Sequence, residues 1–142
     1  MGGDLADLPS LLPLAKKFNA RVMVDDAHGM GVTGSGRGTA AQYGLSDDVD
    51  LIMSTFSKSF ASLGGFIAGD ADNIHYIKHN ARSLICSASI PASNAAAALA
   101  ALQVMRDEPE RGQRVNDIAE KMRRELKKMG FNVGDSVTPI VP

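Results

Sequence analysis

Between Asp50 and Asp70 the chain reads DLIMSTFSKSFASLGGFIAGD, nineteen intervening residues whose only formal charge is Lys58. A stretch so poor in charge belongs inside a fold, with Leu51, Ile52 and Met53 as a short buried strand, Gly65 to Gly69 as another, and Lys58 in the serine-rich turn between them. Lysine is almost never buried without a partner, so either its ammonium escapes to water at the loop tip or the site uses its amine. An apolar loop without carboxylates disfavours the ammonium, as a lysine that attacks a carbonyl requires. Thr55, Ser57 and Ser59, with backbone N–H groups, offer donors for an anion such as a phosphate.

The rest of the chain sets bounds on that chemistry. At 142 residues, 44% hydrophobic and 22% charged, it has the balance of a soluble globular protein, long enough for one domain or a piece of a larger one. A net charge of -1 gives no electrostatic footprint for nucleic acid or an anionic membrane. Cys86 has no second cysteine with which to form a disulfide, and the opening MGGDLADLPS lacks the basic and apolar regions of a signal peptide. No apolar run approaches the roughly 20 residues that span a bilayer. A cytoplasmic location without stable membrane insertion is expected.

Asp7 or Ser10 can cap a helix to about Phe18, with Leu11, Leu12, Leu14, Ala15 and Phe18 on its apolar face. Arg21 to Val24 then reads as a buried strand ending at Asp25, Asp26, Ala27 and His28, where a parallel strand opens into its loop. The 24 residues from 26 to 49 suffice for the crossover between parallel neighbours, which places Asp25 and Lys58 at one sheet edge, where open α/β sheets bind ligands. Glycines at 29, 31, 34, 36 and 38 do not fit a dinucleotide fingerprint and read better as tight loop paths near an active centre.

Asp70 or Asp72 caps a helix to about Arg82, on which His75 and His79 lack a third metal ligand. No metal site is expected. An Ala-rich packing helix from about Ser93 to Met105 ends before Pro109. The next helix carries Val115, Ile118, Ala119, Met122, Leu126 and Met129 on one face and stops at Gly130. FNV (131–133) reads as a short strand and SVTPIVP (136–142) as the start of another element.

Taken in order, VDDAHGMGVTGSGRG, TFSKSFASLGGFIAG, SASIPAS and SVTPIVP resemble the α-oxoamine synthases, a branch of the fold-type I, aspartate-aminotransferase-like, pyridoxal-phosphate enzymes. The likeness spans essentially the whole chain. It implies an α/β fold, part of the large domain of that fold type, with a mostly parallel sheet flanked by helices. Residues 1–134 would be the C-terminal half of the cofactor-binding large domain, and 135–142 the start of the small C-terminal domain. The stretch alone would be an incomplete site and inactive.

The resemblance also implies roles. Lys58 matches the lysine that binds the aldehyde of pyridoxal 5'-phosphate, and Asp25 the carboxylate paired with the pyridinium nitrogen, with Asp26 as its rival. His28 matches the histidine that hydrogen-bonds the ring hydroxyl, and Thr55 a phosphate-holding hydroxyl. Ser87 matches a residue that reaches the phosphate of the other subunit in a homodimer. The implied reaction is condensation of a small amino acid with an acyl-CoA, with loss of CO2 and CoA. Serine palmitoyltransferase chemistry (sphingolipid biosynthesis) ranks first, then 8-amino-7-oxononanoate synthase (biotin biosynthesis), then glycine C-acetyltransferase. A non-catalytic dimerisation module, or an inactive stable fragment, is the alternative.

Overall fold

The computed structural model describes residues 2–142. Its sheet is built around β2 (Leu51–Thr55), which pairs in parallel with β1 (Met23–Asp25) and antiparallel with β3 (Gly65–Gly69), giving the order β1-β2-β3. The α/β arrangement expected from the sequence is present, but one of its two strand pairs is antiparallel. The reason is loop length: residues 26–49 accommodate a crossover, whereas 56–64 permit only a reversal of direction.

Helix α1 (Leu8–Lys17) begins at Asp7, whose carboxylate accepts the N–H of Ser10 at 3.3 Å. Leu8 and Leu12, one turn apart, face the sheet and form a core with Val24, Ala40 and Val49. Leu11, Leu14 and Phe18, expected on the apolar face, are instead exposed, because the helix contacts the sheet along the narrower Leu8–Leu12 line. The first strand is also shorter than expected. Arg21 and Val22 precede the ladder, Met23 is exposed, and Val24 is its buried residue.

Helix α2 (Thr39–Gln42) lies in the crossover. After β3 come α3 (Ala71–Asn80), capped by Asp70, the single turn α4 (Arg82–Ile85), α5 (Ala92–Asp107) and α6 (Glu110–Lys128). Of the α6 apolar face Ala119 is buried, whereas Val115, Ile118, Met122 and Met129 are exposed. Residues 131–133 form no strand, contrary to expectation, and 136–142, expected to start a further element, joins no ladder. Strands require a paired neighbour, and the backbone of this segment finds other partners. Val137 and Thr138 donate N–H groups to the carbonyl of Gly3 at 3.0 and 3.1 Å, and Arg123 donates to the carbonyl of Thr138. No described helix is long and apolar enough to cross a membrane.

Candidate active site

The parallel register fixes the site. Met23 lies opposite Leu51 and Asp25 opposite Met53, so β1 and β2 release their C-terminal ends on the same sheet edge. There a cavity of about 360 Å³ is lined by Asp25, Asp26 and His28 from the first loop and by Lys58 and Ser59 from the second. Residues 4–6 and 138–140, brought together by the Gly3 hydrogen bonds, contribute to its wall.

The two acids at the end of β1 have different surroundings because successive strand residues point to opposite faces. Asp26 is 4% exposed and accepts both the N–H and the hydroxyl of Thr39 at 2.6 Å. It thereby caps α2, whose own N-cap, Gly38, has no side chain to do so. Gly38 has φ +95°, and a Cβ there would lie 2.0 Å from the Asp26 carboxylate, so both conformation and space call for glycine. Asp25 is exposed; its carboxylate accepts the N–H of Ala27 at 3.1 Å. His28 is exposed beside it, and its ring makes no hydrogen bond among the described residues.

Lys58 is held by its loop while its amine stays free. Phe56 donates to the carbonyl of Gly64, Ser62 to that of Phe56, and Ala61 to that of Lys58, closing the loop on itself. Phe60 packs edge-on against Phe56 and Phe66, with centroids 5.2 and 6.2 Å apart, which anchors the segment after the lysine. Ser59 donates to the carbonyl of Met30 at 2.7 Å and Ser62 to that of Asn94 at 2.8 Å, docking the loop on both neighbours. The Lys58 ammonium has no ion pair among the described residues and is exposed at the cavity. Lys58 has no carboxylate in its own loop, and the end of β1 brings Asp25 and Asp26 to the same cavity, as expected for Asp25 from the parallel pairing of the two strands.

Thr55 and Ser87 do not line this cavity. Thr55 ends β2, where its hydroxyl pairs with that of Ser57 at 2.8 Å and reaches the carbonyl of Gly64 at 3.1 Å. Ser87 is exposed in the connection between α4 and α5. His79 directs Nδ1 at the carbonyl of His75, 2.8 Å away, so one of its two nitrogens is occupied within α3.

The family model for aminotransferase class I and II matches residues 1–142. The chain belongs to the aminotransferase class I and II family. Within that family it is 49% identical to a serine palmitoyltransferase from Sphingobacterium spiritivorum and 48% identical to an 8-amino-7-oxononanoate synthase from Thermosipho melanesiensis. Each alignment covers 100% of this chain, and 36% and 37% of those relatives, so the chain spans about a third of their length. Among solved structures, serine palmitoyltransferase from S. paucimobilis with a bound PLP–myriocin aldimine superposes with a TM-score of 0.90 at 34% identity, covering 99% of this chain and 35% of that one.

Ser59, expected as an anion donor, instead donates to the Met30 carbonyl, while Thr39 and the segments 4–6 and 138–140 had not been anticipated as parts of the site. Thr39 follows directly on the glycine-rich loop, and its partnership with Asp26 joins positions 13 residues apart. Nothing local foretells that contact.

Proposed function

We propose that this chain forms part of the active centre of a pyridoxal-phosphate-dependent acyltransferase that condenses a small amino acid with an acyl-CoA, releasing CO2 and CoA. The observation that carries this reading is the convergence of a free lysine amine, an exposed carboxylate and an exposed imidazole on one cavity at the ends of two parallel strands. Relatives named serine palmitoyltransferase at 48–49% identity support that substrate pair first. 8-Amino-7-oxononanoate synthase chemistry comes second and glycine C-acetyltransferase chemistry third.

The residues fit such a cofactor. Lys58 supplies the amine for its aldehyde, and Asp25, with Ala27 as a local donor, keeps acceptor capacity for a protonated ring nitrogen. His28 would meet the ring hydroxyl, and the Thr55–Ser57 hydroxyl pair would turn toward the phosphate. Pyridoxal phosphate, when bound, supplies an electron-withdrawing ring that stores the electrons released at the substrate Cα. The chain's own part is then to hold and move protons. Asp25 favours the protonated ring nitrogen, and Lys58, once its amine is free, takes or returns the Cα proton.

The same reading takes residues 1–134 as large-domain sequence and 135–142 as the beginning of the small domain, in a cytoplasmic homodimer whose Ser87 serves the other subunit's phosphate. The exposed position of Ser87 is compatible with such a reach. A purely interfacial, non-catalytic role is the second reading. It draws support from an accessible surface of 9835 Å², against roughly 7,000 Å² expected of a compact 15.0 kDa monomer, which leaves apolar helix faces to be covered.

Borohydride reduction of the natural protein with pyridoxal phosphate, followed by peptide mapping, decides between them. The catalytic reading expects label on Lys58 and its loss in Lys58→Ala. Label on Lys16 or Lys78, or none on Lys58, would reject it.

A further inference from the structure

We propose that Asp26 is a positioning residue for Lys58, acting across the cavity through Met30 and Ser59. This extends the catalytic reading above from the groups that would touch the cofactor to the group that sets their spacing.

Every main-chain and side-chain polar group of Asp26 is engaged. Its N–H donates to the carbonyl of Met53 at 2.8 Å, which fastens the residue to β2. Its carbonyl accepts the N–H groups of Gly29 and Met30 at 3.1 and 2.9 Å, which folds the loop carrying His28 back on itself. Its two carboxylate oxygens accept the N–H and hydroxyl of Thr39, which pins the far end of the glycine loop. An acceptor-only carboxylate satisfies both donors, whereas an amide would turn an N–H toward one of them. The link to the lysine runs from the Met30 N–H to the Met30 carbonyl, which accepts the Ser59 hydroxyl at 2.7 Å. Gly31 permits that approach, because a Cβ there would lie 2.7 Å from the Ser59 hydroxyl.

The Asp26 carboxylate closes the loop from 26 to 39 while its main-chain carbonyl holds the Met30 N–H within that loop, so the side chain sets where Met30 sits, where residue 59 docks on it, and with that the placement of the adjoining Lys58. A group buried to 4% exposure and saturated with donors from its own chain is not free to pair with a cofactor ring, which separates its task from that of Asp25. Small displacements of a reacting group cost large factors in rate, so a residue that touches neither cofactor nor substrate still matters to turnover.

The test is hydrogen–deuterium exchange of the natural full-length protein, with and without pyridoxal phosphate, on Asp26→Asn, Thr39→Val, Thr39→Ser and Ser59→Ala, together with steady-state kinetics. Asp26→Asn and Thr39→Val are expected to speed exchange in residues 56–64 at least fivefold, with α6 unchanged. They should also lower kcat about tenfold at a KM within twofold of the parent. Ser59→Ala should reproduce the effect in 56–64 without loosening residues 37–42, and Thr39→Ser should restore protection in both segments. Loosening confined to 26–42, with 56–64 as protected as in the parent, would overturn the proposal. If Asp26→Asn does not fold, the Thr39→Val and Thr39→Ser pair decides by the same readout. Failure of the parent to carry cofactor on Lys58 would reject the catalytic reading alone, since the exchange of the apoprotein still tests the coupling.

Discussion

Asp25 lies directly opposite Met53 in the parallel pairing of β1 with β2, and the next residue, Asp26, donates its N–H to the carbonyl of that same Met53. Two neighbouring acids thus leave the sheet from one anchored point with opposite fates. Asp25 faces the cavity with one local donor, while Asp26 turns inward to Thr39.

Their substitutions are expected to separate cleanly. Asp25→Asn should leave Tm near that of the parent, because an exposed carboxylate gives up little on losing its charge. It should remove about 3 kcal/mol of transition-state stabilisation, the scale for loss of a preorganised electrostatic partner. Asp26→Asn should instead cost about 1–3 kcal/mol of stability by leaving a buried donor without its acceptor, with the smaller loss in kcat. Thermal unfolding and kinetics on the same preparations check both. Equal losses of kcat in the two variants would contradict the assignment.

Glycine at 38 answers to both backbone and space. Gly38→Ala and Gly44→Ala each place a side chain at positive φ, +95° and +69°, but a Cβ at 44 meets nothing within 4 Å whereas one at 38 strikes Asp26. Strain at such a backbone position costs on the order of 1–3 kcal/mol. Chemical denaturation should therefore show Gly38→Ala to be the more damaging by a clear margin. Comparable midpoints would mean that the Asp26 carboxylate moves aside freely.

Asp50 gives the fold a defined response to acid. The N–H of Val22, and after it the guanidinium of Arg21, hold its carboxyl below the ordinary value of 3.8. A group whose pKa is lower in the folded state contributes stability that is complete above the unfolded value and disappears as pH falls through the folded one. The Tm difference between the parent and Asp50→Asn should hence be constant above about pH 5 and close below about pH 4. A difference independent of pH down to strongly acidic conditions would show that the carboxylate's charge is not what matters.

Ser87 provides the test of a shared site. If the proposed two-fold dimer shares its sites, subunits carrying Lys58→Ala mixed with subunits carrying Ser87→Trp should recover part of the activity, because one hybrid site in each dimer would then hold both native residues. Absence of recovery in demonstrated heterodimers would place any function of Ser87 within its own chain.

Much of this was legible in the residues themselves. The uncharged run around Lys58 predicted two strands and a lysine-bearing loop, and β2 and β3 occupy those positions. Asp7 or Ser10, and Asp70 or Asp72, marked the starts of α1 and α3, of which the structure uses Asp7 and Asp70, because capping is a local transaction between a carboxylate and an N–H two or three residues away. The 24 residues from 26 to 49 were long enough for a crossover, which implied a parallel pairing with Asp25 and Lys58 at one edge, and the register of β1 with β2 has that form. Caps, strand positions and connection lengths depend on neighbours in the chain, so sequence by itself determined them.

What sequence could not assign depends on contacts between distant residues. Periodicity marked Leu11, Leu14 and Phe18 as apolar, but which line of α1 meets the sheet was decided by packing against Val24, Ala40 and Val49. The strand expected at 131–133 and the element expected to start at 136–142 had suitable residues, but the Phe131 N–H goes to the Leu126 carbonyl, the N–H groups of Val137 and Thr138 go to Gly3, and the Thr138 carbonyl accepts from Arg123. Asp25 and Asp26 are chemically identical in the sequence. The resemblance preferred Asp25 without a physical reason visible in the chain; the fold supplies a difference between them, because it brings Thr39 within 2.6 Å of the Asp26 carboxylate and leaves Asp25 exposed at the cavity, and a carboxylate's chemistry depends on the donors that reach it.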